Sequence, residues 1–313
     1  MKDIEHLSVI KTWMKAVRLP FSTATLVPVC LGSAAAWHDA GVFLPVRFCL
    51  AMAGALFIHF GTNLVNDYFD HVSGCDELNS NPTPFSGGSR VIQEGLLPAK
   101  HILYASLIAF ALGSAIGLYL NYLSGKNVIL VLGFIGVFLG FFYSSNPIQL
   151  GYGSLGELSV GIGFGPLMVL GAYYVQAGTL PFSIFLISVP VGILIALVLY
   201  INEFPDYTAD LSVGKNTLVV VLGKKKAVVL YQALLIAVYL YIGSLLYLDY
   251  LPSYCAISFL SIPLAVKAFM VSKRHYNDIT ELLPANAATI GIHLLIGLLL
   301  SAGLILDSLI LKR

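Results

Sequence analysis

Long runs of apolar residues separated by short polar turns dominate the chain. A membrane-spanning helix needs about 20 mostly apolar residues, each rising 1.5 Å. On that basis the pattern predicts nine spans, at roughly 20–38, 44–66, 101–122, 127–145, 154–176, 182–203, 226–248, 252–272 and 286–310. Most connections are short. Two are long and polar: 67–100, with Gly74, Pro82, Pro84, Gly87 and Gly88, and 204–225, with Asp206, Asp210 and Lys215. The predicted fold is an all-α integral membrane protein of about nine transmembrane helices, one domain over residues 1–313.

Composition narrows the class. Apolar residues make up 58% of the chain and charged residues only 11%, with a mean hydropathy of +0.87. These values exclude an ordinary soluble domain. A net charge of +1 lacks the basic excess of a nucleic-acid-binding surface, so no nucleic-acid partner is expected. The first twenty residues carry Lys2, Asp3, Glu5, Lys11, Lys15 and Arg18 without a short apolar core, unlike a cleavable signal. Cys30, Cys49, Cys75 and Cys255 show no CxxC spacing, and no metal or disulfide role is expected of them.

The basic residues orient the helices. With the N-terminus inside, only Arg47, Lys126, Lys312 and Arg313 of the 17 Lys and Arg residues fall outside. This bias obeys the positive-inside rule and puts both long connections in the cytoplasm. The expectation is a multi-pass protein of the cytoplasmic (inner) membrane. Lys224, Lys225 and Lys226 read as topology signals facing anionic lipid. Gly113/Gly117, Gly136/Gly140 and Gly161/Gly165 have the spacing of close helix contacts. Gly151–Gly156 matches GxGxxG, but no strand precedes it, so a dinucleotide fold is rejected.

Two polar clusters break the apolar pattern. The first runs from Asn63 through Asn66, Asp67 and Asp70, with Asp76 beyond Gly74; the second runs from Asn202 through Glu203, Asp206 and Asp210. Spacings of four place Asn66 with Asp70, and Asn202 with Asp206 and Asp210, on one helix face each. Asp67 and Glu203 lie off these stripes. Carboxylates at membrane helix ends are costly unless hydrated, paired or bound to a cation. Solvated helix ends explain one such cluster; two on one side of the membrane point instead to a shared cation. Mg²⁺ takes one or two carboxylates and completes its shell with substrate phosphates, so the pattern suits Mg²⁺ bridging to a diphosphate. Arg90, in Ser86-Gly87-Gly88-Ser89-Arg90, and Lys215, after Gly214, are positioned to bind diphosphate oxygens, and both also serve the charge bias. His59 and His293 lack metal-ligand company and read as packed histidines. Glu157, following Tyr143-Ser144-Ser145-Asn146-Pro147, is read either as an acceptor contact or as helix-start electrostatics. A secondary transporter would hold its ions nearer the membrane midplane than these helix ends.

These motifs resemble the UbiA superfamily of intramembrane prenyltransferases over nearly the whole chain. Asn66, Asp70 and Asp76 are similar to its first motif, and Asp206 and Asp210, with Asn202 one turn upstream, to its second. Trp13, Arg18-Leu19-Pro20, Gly151–Glu157 and Gly171–Gln176 resemble the 1,4-dihydroxy-2-naphthoate branch of menaquinone synthesis, whereas Pro84–Arg90 departs from it. The resemblance implies helices around a central cavity that opens to the cytoplasm. It implies two Mg²⁺ ions, one on Asn66, Asp70 and Asp76, the other on Asn202, Asp206 and Asp210. It further implies a polyprenyl diphosphate donor held by Arg90 and Lys215, and an aromatic acceptor near Glu157, Tyr143 and Asp67. Alternative acceptors within the family are 4-hydroxybenzoate, homogentisate and a chlorophyll-type alcohol.

Overall fold

The computed structural model describes residues 9–79 and 82–311. Lys2, Asp3, Glu5, Lys312 and Arg313 lie outside the described residues. All nine predicted apolar segments are helical, and no strand occurs among the described residues. In chain order the helices are α1 (Val9–Ala16), α2 (Thr23–Ala40), α3 (Pro45–Ser73), α4 (Cys75–Leu78), α5 (Ala99–Ser124) and α6 (Val128–Phe142). There follow α7 (Gly156–Ile162), α8 (Met168–Ala177), α9 (Phe182–Ser212), α10 (Leu218–Leu222), α11 (Lys224–Tyr247), α12 (Ile262–His275) and α13 (Ile279–Leu311). The fifth predicted span comprises α7 and α8 joined through a π turn, Gly163–Leu167, at Pro166. The eighth begins as a 3₁₀ turn, Ser253–Ser261, before α12.

Among the described residues, eight spans are long and apolar enough to cross a membrane. The ninth predicted span, α6, has 15 residues, or about 22 Å of helix, short of a full crossing. The sequence pattern also omits α1, α4 and α10, because helices this short carry too few apolar repeats to register. It ends α3 near residue 66 and α9 near 203, where polar residues begin. Both helices continue, to Ser73 and Ser212. Polar groups in these final turns are satisfied within the protein, so the helix does not need lipid around it to persist.

α9 is the hub. It packs on α2, α7, α11 and α13, and Ile184, Val191, Leu194, Leu197, Ile201 and Phe204 are buried along it. The glycine contacts are only partly those the spacings suggest. A Cβ on Gly165 would stand 2.4 Å from the Gly192 Cα, and one on Gly113 2.6 Å from Ile58 Cδ1, so both permit close approach. Gly117 and Gly136 have nothing within 4 Å of such a Cβ. They line an apolar cavity instead of a helix contact.

Two prolines interrupt α9, and each removes a backbone donor from the carbonyl four residues earlier. Pro190 frees the Leu186 carbonyl, to which the Tyr241 hydroxyl donates at 3.3 Å. Pro205 frees the Ile201 carbonyl, to which Asn286 Nδ2 donates at 3.1 Å. In an apolar surrounding an unpaired carbonyl is costly, so side chains of α11 and α13 complete the ladder of α9. Tyr241→Phe should therefore lower stability by about 1–3 kcal/mol, and by far less in a Pro190→Ala background, where the helical donor returns. Thermal unfolding of the four proteins in detergent checks this; equal losses in both backgrounds would refute it.

Candidate active site

Both polar stripes face one cavity of about 470 Å³. Asn66 and Asp70 stand a turn apart near the end of α3, where Asn66 Nδ2 donates to Asp70 Oδ2 at 2.9 Å. Gly74, with φ of 78°, then reverses the chain and α4 brings Asp76 to the cavity wall. α9 supplies Asn202, Asp206 and Asp210 from a single face. The Asn202 Oδ1 accepts from Asn286 Nδ2 at 2.8 Å, so the residue that repairs the Pro205 break also orients the start of the stripe.

Lys215 joins the two clusters. Its ammonium lies 3.9 Å from Asp70 Oδ2 and 3.7 Å from Asp210 Oδ1. Burial alone would lower the Lys215 pKa, but Asp70 and Asp210 outweigh it and hold the group charged, well above the usual lysine range. Tyr152 donates to Asp70 Oδ1 at 2.9 Å, and Cys75 Sγ lies 3.7 Å from Asp210 Oδ1 as a weak donor. Asp76 is different. Its Oδ2 has no hydrogen-bond partner among the described residues. Burial, then the neighbouring Asp70 and Asp67, push the Asp76 carboxyl up to about 8.

The segment after α4 folds over Asp206. Asn79 Nδ2 donates to Asp206 Oδ1 at 2.8 Å, and the Gly87 amide donates to Oδ2 at 3.2 Å. Gly88, at φ 75°, passes so close to Asp76 that a Cβ would stand 2.7 Å from Oδ2. Only glycine combines that conformation with that approach. Arg90 lines the cavity and donates through Nη1 to the Asp76 carbonyl, tying the segment to α4.

Asp67 and Glu157 do not line this cavity; Tyr143 does. Asp67 pairs with the Arg18 guanidinium and accepts from the Ser89 hydroxyl and, at 3.2 Å, from the Ser89 amide. Arg18 also donates to Asn66 Oδ1 at 3.0 Å. Asp67 thus braces the wall behind the stripe. Glu157 Oε1 accepts from the Leu218 amide at 2.8 Å, which fixes the start of α10 and the chain leading out of Lys215. Sequence reasoning gave Arg18 no site role and missed Asn79, Ser89, Tyr152 and Asn286. Arg18 carried a faint signal in its place beside Leu19-Pro20; the others sit at no helical spacing from the clusters.

A second, apolar cavity of about 190 Å³ lies among α3, α5, α6, α7 and α8. His59, Thr62, Tyr143, Val160 and Phe164 line both cavities, so the polar site opens onto an apolar chamber. His59 is a packed histidine, as expected: Nδ1 lies 2.9 Å from Thr25 Oγ1, and its ring meets Phe164 edge-on.

The profile of the UbiA prenyltransferase family matches residues 25–306. This chain belongs to the UbiA prenyltransferase family. Among UbiA relatives, it is 30% identical to the 1,4-dihydroxy-2-naphthoate octaprenyltransferase of Bacillus subtilis (strain 168), over 91% of this chain and 89% of that protein. It is 33% identical to the enzyme of the same name from Mycobacterium tuberculosis (strain ATCC 25618 / H37Rv), over 82% of this chain and 84% of that protein. In fold it resembles a UbiA homolog from Archaeoglobus fulgidus solved with GPP and Mg²⁺, with a TM-score of 0.66 at 14% identity, covering 93% of this chain and 99% of the other.

The brace around Asp67 makes a prediction for this UbiA-family enzyme. Asp67→Asn should reduce prenyl transfer about 10–100-fold, the usual cost of losing an orienting partner. Arg18→Gln should do the same, and the double variant should be no worse than either, because one interaction is lost in all three. Steady-state rates of the three variants check it; additive losses would show that Asp67 and Arg18 act separately.

Proposed function

We propose that this enzyme transfers a polyprenyl group from a polyprenyl diphosphate to 1,4-dihydroxy-2-naphthoate, with loss of the ring carboxylate, in menaquinone synthesis. The observation that carries the reading is the junction itself: a cationic and acidic cavity for a diphosphate, continuous with an apolar chamber for a hydrocarbon tail. The printed names of the Bacillus and Mycobacterium relatives support the acceptor.

The donor set fits Mg²⁺. It consists of oxygen ligands, and Asp76 offers an oxygen without a partner among the described residues. Among the described residues no three His, Cys, Asp or Glu side chains are disposed to hold a metal alone. That suits a cation whose remaining ligands come from substrate phosphate. The Archaeoglobus homolog was solved with Mg²⁺ and a prenyl diphosphate. We infer two ions, one held by Asn66, Asp70 and Asp76, the other by Asp206 and Asp210 with Asn202 beside them. Bound there, Mg²⁺ supplies positive charge that stabilises the departing diphosphate.

The protein's own groups do the rest. Lys215 and Arg90 donate charge-assisted hydrogen bonds to diphosphate oxygens. In the free site Lys215 offsets the repulsion between Asp70 and Asp210. The chamber walls, including Ile58, Leu132 and Met168, take up the prenyl tail, at about 0.8 kcal/mol for each CH₂ removed from water. They also keep water from the allylic carbon while its bond to diphosphate breaks. The ring then attacks that carbon from the cavity side, where Tyr143 and Phe164 line the junction. We place the enzyme in the cytoplasmic membrane with the N-terminus and the diphosphate site facing the cytoplasm.

Asp70→Asn and Asp206→Asn should each lower turnover roughly 100-fold or more, as for loss of a group that stabilises transition-state charge. Chelation should abolish activity in the wild type, and added Mg²⁺ should restore it. Diphosphate release and prenylated product, followed across acceptors and Mg²⁺ concentrations, check both. Near-normal transfer by either variant would overturn the assignment of its cluster, and a preference for 4-hydroxybenzoate or homogentisate would overturn the acceptor.

A further inference from the structure

Glu203 follows Asn202 on α9 but lies about 100° round the helix from the acidic stripe. It nevertheless lines the same cavity. The residue is 7% exposed, and its Oε2 has no hydrogen-bond donor among the described residues. The carboxyl of Glu157, 6% exposed, lies against it. Glu157 Oε1 is fixed by the Leu218 amide at 2.8 Å, while its Oε2 also lacks a donor among the described residues. The Lys215 ammonium faces Asp70 and Asp210 instead. Two buried carboxyls in contact, with two oxygens unserved, are an unusual arrangement, because buried acceptors in folded proteins are nearly always paired.

A carboxylate oxygen accepts and does not donate, so its missing partner is a donor. Of the groups that enter this cavity under the function argued above, the diphosphate brings acceptor oxygens and negative charge, which two glutamates repel. The prenyl tail brings neither donor nor acceptor. The ring hydroxyl of the aromatic acceptor does bring a donor. Val198 and Leu199, about one turn earlier on α9, line the same cavity together with Phe164 and Tyr143, giving apolar surface on which a flat ring can rest.

We propose that Glu203 recognises a ring hydroxyl of the aromatic acceptor, with Glu157, anchored on α10, setting the position of Glu203 from behind. The proposal rests on the reading of the acceptor as a dihydroxylated ring. Glu203 then keeps acceptor and donor in separate places: hydroxyl at the glutamates, diphosphate at Lys215, Arg90 and the aspartates. Because Glu157 also anchors the chain leading out of Lys215, the two halves of the site share one support.

The test uses the full-length enzyme in detergent or nanodiscs, with 1,4-dihydroxy-2-naphthoate as acceptor and its 1,4-dimethoxy counterpart as competing ligand. Wild type should bind the dihydroxy compound at least ten-fold more tightly than the dimethoxy one. Glu203→Leu should raise the acceptor KM about 10–100-fold, the usual loss for a hydrogen bond to a charged group. The KM for the prenyl diphosphate should stay within about two-fold, which also shows a folded donor site, and the hydroxyl preference should vanish. Glu203→Gln retains an acceptor oxygen and should lose only a few-fold; it carries the test if the leucine variant is not recovered. Unchanged acceptor KM and intact hydroxyl preference in Glu203→Gln and Glu203→Leu, with an active wild type, would overturn the inference and leave the pair as a packing element. A wild type that does not prenylate the dihydroxynaphthoate would overturn the functional reading, and this inference with it, before any variant is compared.

Discussion

The ion-pair bridge from Asp70 through Lys215 to Asp210 holds the site together. Those carboxylates reach the cavity from two helices far apart in sequence, and in a poorly solvated place their repulsion would drive the helix ends apart. A single ammonium between them removes that repulsion, and their combined charge is what keeps it protonated despite burial. The same balance makes the site receptive to substrate. Arrival of a diphosphate with its cations gives Lys215 and the aspartates new partners of the sign each prefers.

Keeping that bridge in place requires α9 to run past its apolar stretch into the polar site, through two prolines. Lipid offers no donors to the carbonyls those prolines release, so neighbouring helices supply them: Tyr241 to Leu186 and Asn286 to Ile201. Asn286 couples this repair to the chemistry, because the same amide holds Asn202. Glu157 plays a matching part on the other side, since its bond to Leu218 anchors the chain that carries Lys215. Backbone satisfaction and active-site geometry therefore share residues, and a change made to improve one acts on the other.

Much of the architecture was legible because lipid imposes a simple rule: each crossing must be a long apolar helix. The nine segments and the two polar interruptions follow from it. Its failures have the same origin. An apolar-run criterion ends α3 and α9 where Asn66 and Glu203 begin, although both helices continue on internal hydrogen bonds. It counts α6 as a full span, and it reads Gly117 and Gly136 as helix contacts, although those glycines open onto the apolar chamber. Asp67 and Glu157 were recognisable as polar residues near the site, but spacing carries no record of what stands behind a wall. Only Arg18, 49 residues from Asp67 in sequence, gives Asp67 its role.

The sequence by itself determined the all-helical membrane class, the two acidic stripes and their family motifs. These depend on periodicity and residue type, which are local properties of the chain. Tertiary structure decided that Lys215 bridges the stripes, that the segment after α4 closes on Asp206, that a diphosphate-sized polar cavity opens onto an apolar chamber, and that Glu203 faces that cavity with Glu157 behind it. Each is a contact between residues far apart in sequence. Such contacts are fixed by how α3, α7, α9 and α13 pack, and helix packing is set by side-chain volumes meeting in three dimensions, which no one-dimensional pattern records.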